Sequence, residues 1–137
     1  MPVVIEHVQG KAPVTILAIS GDLDASNYRQ VIDRAQEAYA TGSRTLLVDM
    51  SEVPFMASSG LVALHSMILT FRGEERAETE DGWEAFHAID RDREQGVQKL
   101  VKLLNPQPRV MRTLNVTGLI AFFEIYADRD EAIASFD

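Results

Sequence analysis

The apolar residues of this chain alternate between the spacing of strands and the spacing of helices, and this alternation restricts the fold. Two runs rich in β-branched residues, at 3–8 and 14–19, predict strands that the QGKAP turn joins into a hairpin. Three further short apolar runs predict strands at 45–50, 99–104 and 123–126. The run TLLVDM is apolar almost throughout, as expected for a strand covered on both faces.

A helix pattern follows every predicted strand except the first. In each pattern apolar residues recur every three or four positions, which places them on one helix face. The four faces consist of Val31, Ile32, Ala35, Ala38 and Tyr39; of Leu61, Leu64, Ile68 and Phe71; of Val110, Met111 and Leu114; and of Ala132, Ile133 and Phe136 within a terminal helix at 128–136. We expect Ser26 or Asn27 to cap the first helix and Gly42 to end it.

The predicted order of elements is therefore β-β-α-β-α-β-α-β-α. Helices between successive strands favour right-handed crossovers, which make neighbouring strands parallel. We expect a single α/β domain over residues 1–137, with a mixed, mostly parallel sheet, an N-terminal β-hairpin at its edge and helices packed on it. A length of 137 residues and a hydrophobic content of 46% fit one domain with a substantial core.

One segment interrupts this regular order. Residues 72–97 separate the second helix from the following strand, whereas such links usually have about 2 to 6 residues. The segment holds nine acidic and four basic residues, so nine minus four gives five of the eight net negative charges. Trp83, Phe86 and Ile89 recur every three residues and predict a short amphipathic helix. We interpret the segment as an acidic insertion, either a solvated loop or an additional contact to a partner.

The overall charge argues against several classes of partner. The formal net charge is -8, so neither nucleic acid nor an anionic membrane is expected as the main partner, since both require Lys and Arg. The chain has no Cys, and three carboxylates that follow strands (Asp22, Asp24 and Asp49) are weak evidence for a metal, so no metal or cofactor is expected. No signal peptide or membrane span is visible, which predicts a cytoplasmic protein.

Adjacent serines stand where a strand passes into a helix, in FMASSGLVAL at 55–64. A hydrolase elbow requires Gly-x-Ser-x-Gly, but the first Gly is missing and none of His7, His65 and His87 has a suggestive position. Ser58 and Ser59 could instead cap the second helix. A third possibility is phosphorylation, because the N-terminus of a helix stabilises an added phosphate.

Three stretches together identify a family. ISGDLDASN, LLVDMSEVPFMASSGLVAL and NPQPRVMRTLNVTGLIAFFEIYADRDEAI resemble the STAS domain family (sulfate transporter and anti-sigma factor antagonist), in its bacterial anti-sigma factor antagonist type. The resemblance implies a phosphorylation-switched binding module that is not an enzyme. It implies that Ser58, the first serine of the Asp-Ser-Ser/Thr-Gly motif, accepts phosphate from an anti-sigma factor serine kinase and that a phosphatase removes it. A monomer or weak dimer is expected.

The same resemblance implies which residues bind the partner. They are Asp22, Asp24, Met56, Ala57, Ser59, Gly60 and Leu61, with Met56 and Leu61 expected to be exposed apolar contacts. The chain departs from the family pattern in the insertion and at Ala57, where the family has Asp. These departures favour an alternative: a STAS scaffold or regulatory subunit of a signalling or transport complex without phospho-switching.

Overall fold

The computed structural model describes residues 3–73 and 98–136, and five strands within these ranges form one sheet. The strands are β1 (Val3–Gln9), β2 (Pro13–Ser20), β3 (Leu46–Glu52), β4 (Gln98–Leu104) and β5 (Phe123–Tyr126). Their order in space is β1-β2-β3-β4-β5; β1 and β2 are antiparallel, and the other neighbours are parallel. The expected α/β fold, with a mixed sheet and a hairpin at its edge, is confirmed.

Within residues 3–73 and 98–136, four α-helices follow the strands as expected. They are α1 (Tyr28–Ala40), α2 (Ser58–Phe71), α3 (Pro108–Thr117) and α4 (Arg129–Ala134). Gly42 follows α1 with φ +118°, a conformation that favours Gly and ends the helix as predicted. A short 3-10 helix, Leu119–Phe122, lies between α3 and β5 and was not predicted.

The helices divide between the two faces of the sheet. Buried residues of α1, α2 and α3, such as Val31, Leu64 and Leu114, share one core with alternate residues of the strands. On the opposite face, α4 and the chain end cover a smaller apolar cluster that includes Leu47 and Phe136. The spatial order of the strands follows the chain and never reverses, and such a reversal is where α/β sheets open a crevice for a ligand. The order of the described strands therefore offers no such crevice, and we expect a functional site in the loops at the edge of the sheet.

Helix α2 is more deeply buried than one apolar face predicts. All nine residues from Gly60 to Ile68 are buried, including the polar side chains of His65 and Ser66. This burial agrees with the sequence of α2, which is apolar on most sides, as expected for a helix enclosed on several sides.

The terminal helix is shorter than the predicted segment 128–136. Asp128 caps α4, because its carboxylate accepts hydrogen bonds from the amides of Asp130 (2.8 Å) and Glu131 (3.2 Å). From β4, the buried Lys102 Nζ donates to the carbonyl oxygen of Ser135 at 3.1 Å and so fixes the end of α4 to the sheet. Ala132 and Phe136 are buried as expected, and Ile133 is half-buried. Within the described ranges, no helix has the length and apolar character needed to cross a lipid bilayer.

Most of the acidic insertion falls outside the described residues. Of segment 72–97 the structure describes only Arg72 and Gly73. The helix predicted around Trp83, Phe86 and Ile89 therefore remains a prediction.

Candidate functional site

Two loops at the carboxyl edge of the sheet are joined by backbone hydrogen bonds. The amide of Leu23 donates to the carbonyl oxygen of Phe55 (3.0 Å), and the amide of Ala57 donates to that of Leu23 (2.9 Å). The amide of Gly21 donates to Glu52 at the end of β3 (3.0 Å). The segment after β2 therefore lies directly beside the segment that leads into α2. This brings the predicted acidic turn to the predicted serine, although the two are far apart in the chain.

Ser58 is the first residue of α2, and its side chain is exposed. The residue before it, Ala57, occupies the N-cap position with extended backbone (φ -81°, ψ 175°). Ser59 is half-buried and Gly60 is buried. The site thus presents one exposed hydroxyl at the positive end of a helix dipole.

The expectation that the serines cap α2 is wrong. A capping side chain belongs to the N-cap residue, and here that residue is Ala57, which has no hydrogen-bonding group. Ser58 and Ser59 stand one and two positions too late in the helix to act as its N-cap. The amide of Gly60 is instead satisfied by the carbonyl oxygen of Ala57 at 2.9 Å.

The expectation that Met56 and Leu61 are exposed is also wrong. Each has only 2% of its surface exposed, and both belong to the main core. Met56 forms an isolated parallel bridge with Leu23, which turns this part of the loop into a short extended segment. Alternate residues of an extended segment point in opposite directions, so Met56 faces the core while Phe55 faces outward. Met56 and Leu61 therefore pack in the core beneath the surface loop and do not contact a partner directly.

The acidic turn after β2 is held in shape by its own side chains. The carboxylate of Asp24 accepts hydrogen bonds from the hydroxyl (2.6 Å) and the amide (2.9 Å) of Ser26. These bonds, the hydroxyl bond first, lower the pKa of Asp24 below its ordinary value. The resulting stabilisation is present above the pKa of the unfolded chain and is lost as pH falls through the lower pKa of the folded chain. Asp22 is exposed and Asp24 half-buried, so both carboxylates border the surface.

Asn27 occupies the N-cap position of α1, but its side chain does not cap the helix. The amide nitrogen Nδ2 of Asn27 donates to the carbonyl oxygen of Asp22 (2.8 Å), and its Oδ1 accepts from the amide of Asp24 (3.0 Å). The predicted start of α1 is thus correct, since Asn27 is one of the two residues expected at the N-cap, but its side chain makes no capping hydrogen bond because it fixes the acidic turn instead.

Phe55 and Arg109 belong to the same surface, and the sequence did not predict them. Phe55 has 36% of its surface exposed, and the guanidinium carbon of Arg109 lies 5.1 Å from the centre of its ring. The side chain of Gln107 donates to the carbonyl oxygen of Ser51 (2.8 Å), which joins the start of α3 to the end of β3. The stretch VPFM is apolar throughout, so it gave no signal that Phe55 is the exposed residue, and nothing local to Arg109 marked it.

The described histidines do not support a hydrolase. His65 is buried in α2, seven residues after Ser58, which corresponds to about 10 Å along the helix axis. His7 lies on β1, where its Nδ1 is 3.3 Å from the hydroxyl of Thr15, at the opposite end of β2. His87 lies outside the described residues. Within residues 3–73 and 98–136, no group of three or more His, Asp or Glu side chains is placed to hold a metal ion.

Comparison with known proteins points to one family. A family model described as the Mlab, STAS domain matches residues 6–77, which is more than half of the chain. No curated protein matches the chain by sequence.

Several solved structures of similar fold are described as anti-sigma factor antagonists. A proposed anti-sigma factor antagonist from Thermotoga maritima is 17% identical, with a TM-score of 0.69 over 96% of this chain and 91% of that one. The unphosphorylated form of the anti-sigma factor antagonist SpoIIAA is 19% identical, with a TM-score of 0.66 over 96% and 93% of the two chains. The phosphorylated form of SpoIIAA from Bacillus is 20% identical, with a TM-score of 0.59 over 96% of each. At these identities the likeness establishes the fold.

Proposed function

Because the chain belongs to the STAS domain family, we propose that it is an anti-sigma factor antagonist switched by phosphorylation of Ser58. The unphosphorylated chain binds an anti-sigma factor serine kinase in the cytoplasm and thereby releases a sigma factor. The kinase transfers the terminal phosphoryl group of ATP to the Ser58 hydroxyl, which loses its proton, and ADP is released. A phosphatase later hydrolyses the phosphoserine with water, which restores the hydroxyl and releases inorganic phosphate. The observation that carries this proposal is the exposed Ser58 hydroxyl at the start of α2, beside the acidic turn.

The start of α2 suits a phosphate. The first amides of a helix have no partner within it, and the helix dipole adds positive potential there. Ser58 stands at the first helical position, and the side chain before it, that of Ala57, cannot accept a hydrogen bond from these amides. The amide of Gly60 is already bound to Ala57, so the donors that a phosphate on Ser58 would meet are the earlier amides of the first turn.

The same phosphate would disrupt a docked partner. It adds a charge of about -1.5 to -2 at neutral pH. Ser58 lies beside the turn that carries Asp22 and Asp24, so the local negative charge rises steeply. A partner surface that accommodates a neutral hydroxyl would then have to desolvate and pair this charge, which favours dissociation.

A charge-mimicking substitution tests the switch. We expect Ser58→Asp to weaken binding to the cognate anti-sigma factor kinase by about tenfold or more, in line with the cost of burying an unpaired charge. Its free energy of unfolding should stay within about 1 kcal/mol of the wild type, because an acidic group at a helix start is tolerated. Titration calorimetry measures the binding and chemical denaturation the stability.

Gln36→Glu is the matched control, since it adds one charge on the exposed side of α1 at nearly constant shape. It should bind like the wild type. Phosphopeptide mass spectrometry on the protein from its own cells, with and without stress, then tests the modification. Equal affinity of Ser58→Asp and the wild type would refute the switch.

Ala57 favours the alternative of a constitutive STAS scaffold in a signalling or transport complex. The position that carries Asp in the phosphorylated motif is the N-cap of α2, and here it is Ala. If the kinase recognises that carboxylate, Ser58 stays unmodified and the partner is bound permanently. A Ser58 peptide without phosphate under every growth condition, together with a stable partner, would support this alternative.

A further inference from the structure

Phe55 is exposed although nothing in the fold requires it to be. Four large apolar side chains in the described ranges are exposed, and Phe55 is the one aromatic among them. The residues that flank the pair Pro54 and Phe55 are Val53 and Met56, and both are buried. Phe55 contributes to the fold through its backbone, because its carbonyl oxygen accepts a hydrogen bond from the amide of Leu23. Its ring is therefore available to contact a partner.

The ring of Phe55 is held in place from a second element. Arg109, in the first turn of α3, lies with its guanidinium carbon 5.1 Å from the ring centre, within the range of a cation–π contact. The start of α3 is itself tied to β3 by the bond from Gln107 to Ser51. The pyrrolidine ring of Pro54 fixes the φ angle of the residue directly before Phe55. An aromatic side chain fixed in this way loses little conformational entropy when it binds.

Acidic and basic side chains both lie at the edge of the sheet that carries Phe55. The carboxyl ends of the parallel strands share one edge of the sheet, and exposed acidic residues stand there at Asp22, Glu52 and Asp128. Arg109 adds a cation to this acidic edge and forms no ion pair within residues 3–73 and 98–136. The ring of Phe55 thus lies on an acidic edge of the sheet, with the positive charge of Arg109 beside it.

We propose that Phe55, held by Arg109, is the anchor of the surface that binds the anti-sigma factor kinase. The partner would present an apolar pocket for the ring, a basic group toward Asp22 and a carboxylate toward Arg109. Aromatic and Arg side chains at the centre of an interface carry much of its binding energy. This inference rests on the proposed function, and it assigns the anchoring role to Phe55 in place of the buried Met56 and Leu61.

Truncation of the ring tests the anchor. The wild type, Phe55→Ala and Arg109→Gln are each titrated against the purified anti-sigma factor serine kinases of the source organism, with Ser58→Asp alongside. We expect Phe55→Ala to weaken binding by about tenfold or more and Arg109→Gln by less. Val116→Ala is the control, because Val116 is 80% exposed at the far end of α3 and should bind like the wild type. Melting curves establish that each variant is folded, and Phe55→Leu, which keeps apolar bulk without the ring, should give an intermediate affinity.

The outcomes separate the two proposals. If Ser58→Asp weakens binding while Phe55→Ala binds like the wild type, the anchor is refuted and the switch stands. If Phe55→Ala weakens binding and Ser58→Asp does not, the anchor stands without the switch. If the wild type binds none of the kinases, both proposals fall.

Discussion

At Gly60, helix α2 passes so close to the segment before it that a side chain has no room. A Cβ atom built there would overlap the Cγ atom of Met56 and lie 3.1 Å from the Cγ atom of Leu23. Both neighbours are buried and belong to the core, so neither can move without disturbing it. The absence of a side chain at Gly60 thus lets the bridge between Leu23 and Met56 form, and this bridge places the acidic turn beside Ser58.

Gly60→Ala should therefore reverse the usual effect of this substitution. In an ordinary helix interior, Ala is more stable than Gly by about 1 kcal/mol. Here we expect a loss of about 1 to 3 kcal/mol, because an extra methyl group overpacks a filled core. Urea denaturation measures the loss. Ser58→Ala, at the exposed start of the same helix, should change stability by less than about 0.5 kcal/mol. A variant Gly60→Ala more stable than the wild type would contradict the packing argument.

Met56 and Phe55 explain why sequence reasoning assigned the wrong apolar contact. Both lie in a loop, and the sequence alone does not say which of two adjacent apolar residues faces the core. The decision comes from the pairing with Leu23, a contact between distant parts of the chain. Local pattern therefore located the strand-to-helix loop correctly, whereas the direction of each side chain required the tertiary structure.

At the scale of single elements, α2 begins without a side-chain cap, so a capping residue at Ala57 should stabilise the protein. Ala is among the poorest N-cap residues, and replacing it with Asp typically adds about 1 kcal/mol. We expect Ala57→Asp to raise the free energy of unfolding by about this amount, because the carboxylate can accept from the amides of the first turn. Thermal or urea denaturation measures the gain.

Ala40→Asp is the matched control for that substitution. Ala40 is the exposed last residue of α1, where the helix dipole is negative. The same change there should lower stability by a few tenths of a kcal/mol to about 1 kcal/mol. Equal effects at the two positions would contradict an origin in capping and the helix dipole.

Elements with a clear period were predicted well, and irregular ones were not. The strands at 46–52 and 98–104 agree with the predicted apolar runs to within two residues. Strands of a parallel sheet are covered on both faces, so they appear in the sequence as continuous apolar runs. The 3-10 helix at 119–122 was missed, since its sequence LIAF is a short apolar run that fits a strand equally well. Asn27 stood at the predicted helix start, but its side chain had a competing use in the acidic turn.

On the scale of the whole molecule, net charge should govern how fast the partner is found. With 21 acidic and 13 basic residues, the chain attracts a partner with a basic surface over long distances. Raising the ionic strength from about 0.01 M to about 1 M shortens the screening length from about 30 Å to about 3 Å. We expect the association rate with the kinase to fall by about tenfold or more over this range, as stopped-flow fluorescence can measure. The dissociation rate should change much less, and an association rate independent of salt would contradict steering by charge.

The agreement between chain order and spatial order in the sheet has a consequence for synthesis on the ribosome. Each strand after the hairpin joins the edge left free by the strand before it, so no pairing made earlier has to open for a later strand. The loop that carries Phe55 and Ser58 pairs with the loop after β2, which has already been synthesised when Phe55 and Ser58 emerge. Arg109 and α3, which belong to the docking surface proposed above, emerge only after β4 has been added. The docking surface proposed above is thus complete only after four of the five described strands of the sheet have been made.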